Sequence, residues 1–350
     1  MVCIAAFIIL ALVGVVVAFL SIFKREIGKK YLAVFKKAWH CVFKKVRLQK
    51  CETGFKDDVK NTLLSRVIVK HPKWVKPISA IIEVLSVVIV IIAIWAILTA
   101  IKSLLALWAL GSCNVTTPSA CSFGAEMCSI DESEPQNPIE ATGRWFTEWG
   151  EIFEAIPDKF RTYNADDYHF SYININSELS EDKPVAVDIF DPGCSVCMIS
   201  YRNQKTSGFF DKYNVRLVPF AIMATDSSYK FNNSGVVVKY MLAVEQLHSG
   251  MAIKLIDHIF TEKDSNGRSY QDLFNDDYSR EEAVAQIEKW LKHDGLDDGA
   301  IKEVRTVANY PEIVDKMNEN QNIVENELRA KGIPTMIYDG KRHTGLYKAD

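Results

Sequence analysis

The sequence predicts an α/β fold with an inserted helical region, preceded by two transmembrane helices. Three observations lead there. Two early blocks are apolar and almost free of charge. A short apolar strand pattern runs through a turn into a Cys-x-x-Cys helix start. A long helical stretch then leads to a terminal hairpin pattern. The length of 350 residues alone would suggest two or three domains, but much of the apolar content is concentrated in the two early blocks. The net charge of -3 implies no particular partner and conceals a basic stretch near the N-terminus.

The first block, residues 4–23, is uncharged and long enough to cross a hydrocarbon core about 30 Å thick. Nothing basic precedes it and no small-residue cleavage site follows, which favours an anchor over a cleaved signal. Residues 1–23 are therefore assigned to a first transmembrane helix. The second block, residues 78–110, is cleanest over 84–101, between Glu83 and Lys102. It reads as one long tilted helix with Lys102 snorkelling, rather than a hairpin of two short ones. Between the blocks, residues 24–77 carry Lys24, Arg25, Lys29, Lys30, Lys36, Lys37, Lys44, Lys45, Arg47 and Lys50. Short basic loops stay in the cytoplasm. The expected topology is thus a two-pass protein of the cell membrane, with everything after Leu110 extracytoplasmic.

On that topology Cys41 and Cys51 lie in a reducing compartment and remain thiols. The close trio Cys113, Cys121 and Cys128 is expected to contain one structural disulfide. Its third member would be free, bonded to Cys3, or paired between chains. Residues 111–140, rich in Ser, Thr, Pro, Asn and acidic side chains, read as a stalk.

A domain over 141–350 follows, with a helical insertion at approximately 225–330. Trp145, Trp149, Ile152 and Ile156 recur at helical spacing and are expected to pack against this domain. Residues 185–190 form a buried strand pattern, and Asp191-Pro192-Gly193 a turn into a helix. In the next strand pattern, residues 215–224, Pro219 signals an irregularity or an edge. Within the insertion, Ser279 with Glu282 is a capping-box pattern and Pro311 suits a helix start. Asp339-Gly340 between two final strand patterns favours a hairpin.

Cys194 and Cys197 fit either a metal half-site or a redox pair. Their position after a strand and at a helix start favours the redox pair. Unpaired amides and the helix dipole stabilise a thiolate at Cys194. Cys197, one turn later, can resolve a mixed disulfide. The cysteine pair itself would be the redox group, with no added cofactor and no metal.

The run Val187-Asp188-Ile189-Phe190-Asp191-Pro192-Gly193-Cys194-Ser195-Val196-Cys197, the helix-rich insertion and Gly332-Ile333-Pro334-Thr335 together resemble the thioredoxin superfamily. The nearest resemblance is to bacterial periplasmic thiol-disulfide oxidoreductases with a helical insertion, over roughly residues 184–347. It implies a thioredoxin-like fold, with Cys194 as a solvent-facing nucleophile and Cys197 as the resolving thiol. Asp188 occupies the place of a buried acid able to take the proton from Cys197. Ser195 and Val196 would tune the redox potential. Pro334 would be the cis-proline beside the sulfurs, with Ile333 and Thr335 flanking it at the substrate site.

The implied function is a membrane-anchored extracytoplasmic oxidoreductase forming or exchanging disulfides in exported proteins. A non-catalytic adaptor of an envelope or secretion complex is the alternative. Implied partners are cysteine-containing exported polypeptides, an unidentified membrane or extracytoplasmic redox partner, and the lipid bilayer, but no nucleic acid. The family's usual last helix is not expected here. The Trp145/Trp149/Ile152/Ile156 stripe is expected to cover the sheet face it would leave open.

Overall fold

A computed structural model describes residues 35–40, 44, 47, 72–115, 126–130, 137–175, 180–224 and 226–348. The chain divides into two compact units, Met1–Ile101 and Lys102–Asp350. Helix α1, Val75–Leu110, runs through the boundary. Its 36 residues give a length of about 54 Å at about 1.5 Å per residue. Ile81, Val84, Leu85, Ile91 and Ile92 on it are exposed.

Among the described residues, α1 is the one helix long and apolar enough to cross a membrane. This corrects the expectation of two transmembrane helices, and with it the two-pass topology that placed the C-terminal domain outside the cytoplasm. The other apolar block, residues 4–23, and most of the basic loop lie outside the described residues. An apolar run measures transfer cost, and that alone does not establish a second spanning helix.

Lys102 does not snorkel. It is buried and forms an ion pair with Glu148, while its ammonium lies 5.3 Å from the Trp145 ring centroid. Both partners belong to the second unit. Glu148 and Trp145 sit on α2, Pro138–Ala155, which starts at Pro138 with the Asn137 side chain accepting from the Glu140 amide at 2.8 Å. Ile152 and Ala155 of α2 pack with Ala106, Ala109 and Leu110 of α1 and with Val115, and Ile156 adds to this cluster. The expected placement of the aromatic stripe on the sheet is therefore also corrected. Small residues on α1 admit α2 closely, and pairing Lys102 with Glu148 lowers the cost of burying either charge.

The main sheet has five strands in the order β2-β4-β3-β6-β7: Ile173–Asn174, Val185–Phe190 and Asn214–Pro219 for β2 to β4, then Thr335–Tyr338 and Lys341–Thr344 for β6 and β7. A separate two-stranded sheet pairs β1, Cys128–Ser129, with β5, Gly332–Ile333. In β3 every residue after Val185 is buried, as suits an apolar run covered on both faces. Strand β4 lies parallel to β3, joined to it through α3, Ser195–Ser207, and the single turn Phe209–Lys212. Pro219 closes β4, and β4 is interior rather than an edge. The β6–β7 hairpin turns at Asp339 and Gly340, both at positive φ (49° and 73°), as a two-residue turn of matching twist requires.

The insertion supplies α4 Ser234–Leu247, α5 Ala252–Thr261, α6 Arg280–His293, α7 Asp298–Val307 and α8 Pro311–Asn322. The Ser279/Glu282 capping box and the Pro311 start both form. These helices share one core with the sheet. Phe260 of α5 packs on Phe190 and Tyr201 with ring centroids 5.7 and 5.6 Å apart. Tyr163, Ala165, Tyr168 and Phe170, preceding β2, are buried in the same core, and the turn Ala165–Asp167 touches β3. This segment, and not α2, packs on β3.

Ile152→Ala should open a cavity between α1 and α2, costing about 2–5 kcal/mol locally. Hydrogen exchange should accelerate in α2 while the amides of β3 stay protected.

Candidate redox site

The turn after β3 is built around the buried Asp191 carboxylate. Its Oδ1 accepts from the Gly193 amide at 2.7 Å and from the Ser234 hydroxyl, and its Oδ2 accepts from the Ile222 amide at 2.7 Å. Two side chains from the stretch between α5 and α6 hold the carbonyls of the same turn. Gln271 donates to the Pro192 and Cys194 carbonyls at 2.7 and 3.1 Å, and Asn275 donates to that of Gly193 at 2.8 Å. A Cβ on residue 193 would overlap Phe231, so only glycine lets the insertion approach this closely. Asp191, Gln271 and Asn275 were missed in the sequence. Asp191 has a local signal, an Asp-Pro-Gly turn, whereas Gln271 and Asn275 have none.

The turn delivers Cys194 as the N-cap of α3, with its Sγ 3.4 Å from the Cys197 amide nitrogen. Three sulfurs are involved at this point rather than two. Cys194 is disulfide-bonded to Cys128, 66 residues earlier, and Cys197 is a buried free thiol. Strand β1 lies antiparallel to β5, pairing Cys128 with Ile333 and Ser129 with Gly332.

Cys194 is consequently buried instead of facing solvent, because β1 covers it. Cys128 leaves the expected trio and bonds to Cys194. Cys113 is also disulfide-bonded. No local spacing could have revealed a bond across that separation.

The Ile333-Pro334 peptide is cis. The Ile333 carbonyl oxygen lies 4.0 Å from Cys194 Sγ, and the Thr335 hydroxyl donates to the Gly332 carbonyl at 2.7 Å. Ile333 and Thr335 are buried, Val196 is half-buried, and Ser195 is exposed on the first turn of α3.

Asp188, on β3, accepts from the Gln204 side-chain amide at 2.8 Å through Oδ2. Its Oδ1 is buried with no hydrogen-bond partner among the described residues. Burial raises the Asp188 carboxyl to about 7, against the opposing Gln204 hydrogen bond. Burial likewise raises Asp191 to about 6, although the hydrogen bonds from Ser234, Ile222 and Gly193 oppose it. Cys197 is pushed well above the usual thiol value, chiefly by burial. An Asp191 backbone hydrogen bond opposes that shift, and the charges of Asp188 and Asp191 add to it. The free thiol thus has two carboxylates within electrostatic reach, one with an unused acceptor oxygen.

Because Asp188 binds its proton more tightly when folded, the native state keeps a proton that the unfolded chain releases between pH 3.8 and about 7. Stability from this group is complete below that window and is lost as pH rises through about 7, with a limiting slope of about 1.4 kcal/mol per pH unit. Asp188→Asn should flatten this slope while still accepting from Gln204. Urea unfolding at about pH 5 and about pH 8 checks it.

No family model matches the chain, and no curated protein does. Among solved structures it is similar to the thiol-disulfide exchange protein alpha-DsbA2 from Wolbachia pipientis, at 18% identity and TM-score 0.38 over 51% of this chain and 82% of that one. A thioredoxin-like oxidoreductase from Silicibacter pomeroyi DSS-3 matches at 15% identity and TM-score 0.37, over 53% of this chain and 92% of its own. The cytosolic disulfide reductase DsbM from Pseudomonas aeruginosa matches at 16% identity and TM-score 0.34, over 45% and 87%. The parallel β3–β4 pair, the antiparallel β6–β7 hairpin, the cysteine-capped α3 and the cis-proline make this an α/β fold with inserted helices around the cysteine turn.

Proposed function

We propose that this protein is a thiol-disulfide oxidoreductase acting on cysteine-containing polypeptides, with α1 as a membrane tether. One observation carries the reading. Cys194 caps a helix beside the cis-proline and holds, in a disulfide, a cysteine from an extended segment.

In a reaction cycle, the Cys194 thiolate attacks a substrate disulfide and forms a mixed disulfide, releasing one substrate thiolate. Cys197 then attacks Cys194 Sγ, and the second substrate sulfur leaves with the electron pair. The reverse sequence oxidises a substrate dithiol, and the potentials of the partners set the direction. At the start of α3 the free amides and the positive end of the helix favour a thiolate at Cys194. Cys197 is held as a thiol by burial, so it needs a proton acceptor at the moment of attack. Asp188 meets that need with its unpaired oxygen and a carboxyl that titrates near neutrality.

Thiol exchange by the full chain should vanish in Cys194→Ala. Cys197→Ala, first reduced to free Cys194 from Cys128, should still form mixed disulfides but accumulate them. Asp188→Asn should slow the resolving step about 100-fold, within the range of general-base catalysis. Stopped-flow exchange with a reduced or oxidised two-cysteine peptide measures all three. Exchange that persists in Cys194→Ala would defeat the proposal and favour a binding module.

A further inference from the structure

We infer that residues 126–130 are a built-in substrate: an extended cysteine-bearing segment of the chain that pairs with β5 beside the cis-proline, where a substrate polypeptide would lie, and caps Cys194 through Cys128. The inference rests on the oxidoreductase reading and adds a third sulfur to its chemistry.

The segment is held as a bound peptide would be. It adds to the β5 edge rather than to the five-stranded sheet, in the manner of β-strand addition. The Ile130 amide donates to the Lys331 carbonyl at 3.1 Å, and the Leu346 amide donates to that of Glu126 at 2.9 Å. The Lys230 ammonium donates to the Ser129 carbonyl at 3.1 Å. Main-chain groups dominate these contacts, so they recognise an extended backbone more than a particular sequence. Side chains set the depth. Met127 and Ser129 are buried, and a Cβ on residue 332 would overlap Met127 Sδ and come within 3.0 Å of the Cys128 carbonyl oxygen. Gly332 therefore leaves room for the segment to lie flat against β5.

Release needs no outside oxidant or reductant. Cys197 gives up its proton and attacks Cys194 Sγ. The Cys128–Cys194 bond breaks, its electron pair leaves on Cys128 Sγ, and that sulfur takes a proton. One disulfide is lost and one is formed, between Cys194 and Cys197. Asp188, with its unpaired Oδ1, is the proton acceptor for the attacking thiol. Afterwards β1 is held only by its backbone and side-chain contacts, and an external cysteine peptide can compete for the β5 edge. The occupant thus predicts the ligand class: a peptide segment in extended conformation whose cysteine faces Ile333.

The test uses the full-length chain with a labelled peptide of sequence Glu-Met-Cys-Ser-Ile as probe. Peptide mapping under non-reducing conditions should find Cys128 joined to Cys194 in the wild type. Met127→Asp keeps every cysteine but puts a charge in the buried slot. It should shift the linkage to Cys194–Cys197 and speed exchange with the peptide by roughly tenfold, equivalent to about 1.4 kcal/mol of lost docking. Cys128→Ser, which changes a single atom, should do the same. Unchanged exchange in both variants, with Cys194→Ala inactive, would overturn the internal substrate and leave the oxidoreductase standing. A wild-type chain lacking the Cys128–Cys194 link would also overturn it. Exchange surviving in Cys194→Ala would remove both readings.

Discussion

The Asp191 carboxylate ties together three parts of the molecule that would otherwise be free to move apart. It holds the turn leaving β3 through Gly193, the chain leaving β4 through Ile222, and the first residue of α4 through Ser234. A buried carboxylate is tolerated only when its lone pairs are satisfied, and these donors do that. The same burial still lifts its proton affinity. Fixing the turn fixes the start of α3, and with it the position of both cysteines.

From that constraint the insertion takes on a role beyond covering the sheet. Gln271 and Asn275 donate to the three successive carbonyls of Pro192, Gly193 and Cys194, so the cysteine turn is held on one side by the five-stranded sheet and on the other by the insertion. Preorganisation of this kind matters for sulfur exchange, since attack requires the sulfurs to align and a rigid turn removes the cost of aligning one of them. It also explains why the backbone at Gly193 cannot carry a side chain.

The sulfur centre then joins two opposing demands. A reactive Cys194 needs exposed helix-terminal amides, whereas Cys197 is kept protonated by its apolar surroundings. The β1 strand changes the balance by burying Cys194 as well. Its contacts lie on β5, on α3 and on neighbouring loops rather than on the strands of the main sheet, so releasing it would break no strand pairing there. Elsewhere, the Lys102–Glu148 pair and the Ile152 cluster join the end of α1 to α2.

The sequence by itself determined what depends on neighbours along the chain. The buried β3 run, the Cys-x-x-Cys start of α3, the capping box at Ser279 and the Asp339-Gly340 hairpin follow from local pattern and residue chemistry, whereas the cis Ile333-Pro334 peptide and the buried Asp188 came from the resemblance those motifs carry. Only the tertiary structure decided the rest: that Cys128 returns to Cys194, that α2 packs on α1, that β4 is interior, and that Gln271 and Asn275 clamp the cysteine turn. Each of these is a meeting of residues far apart in sequence, selected by burial and hydrogen bonding over the whole fold, and a local pattern carries no record of which distant partner wins.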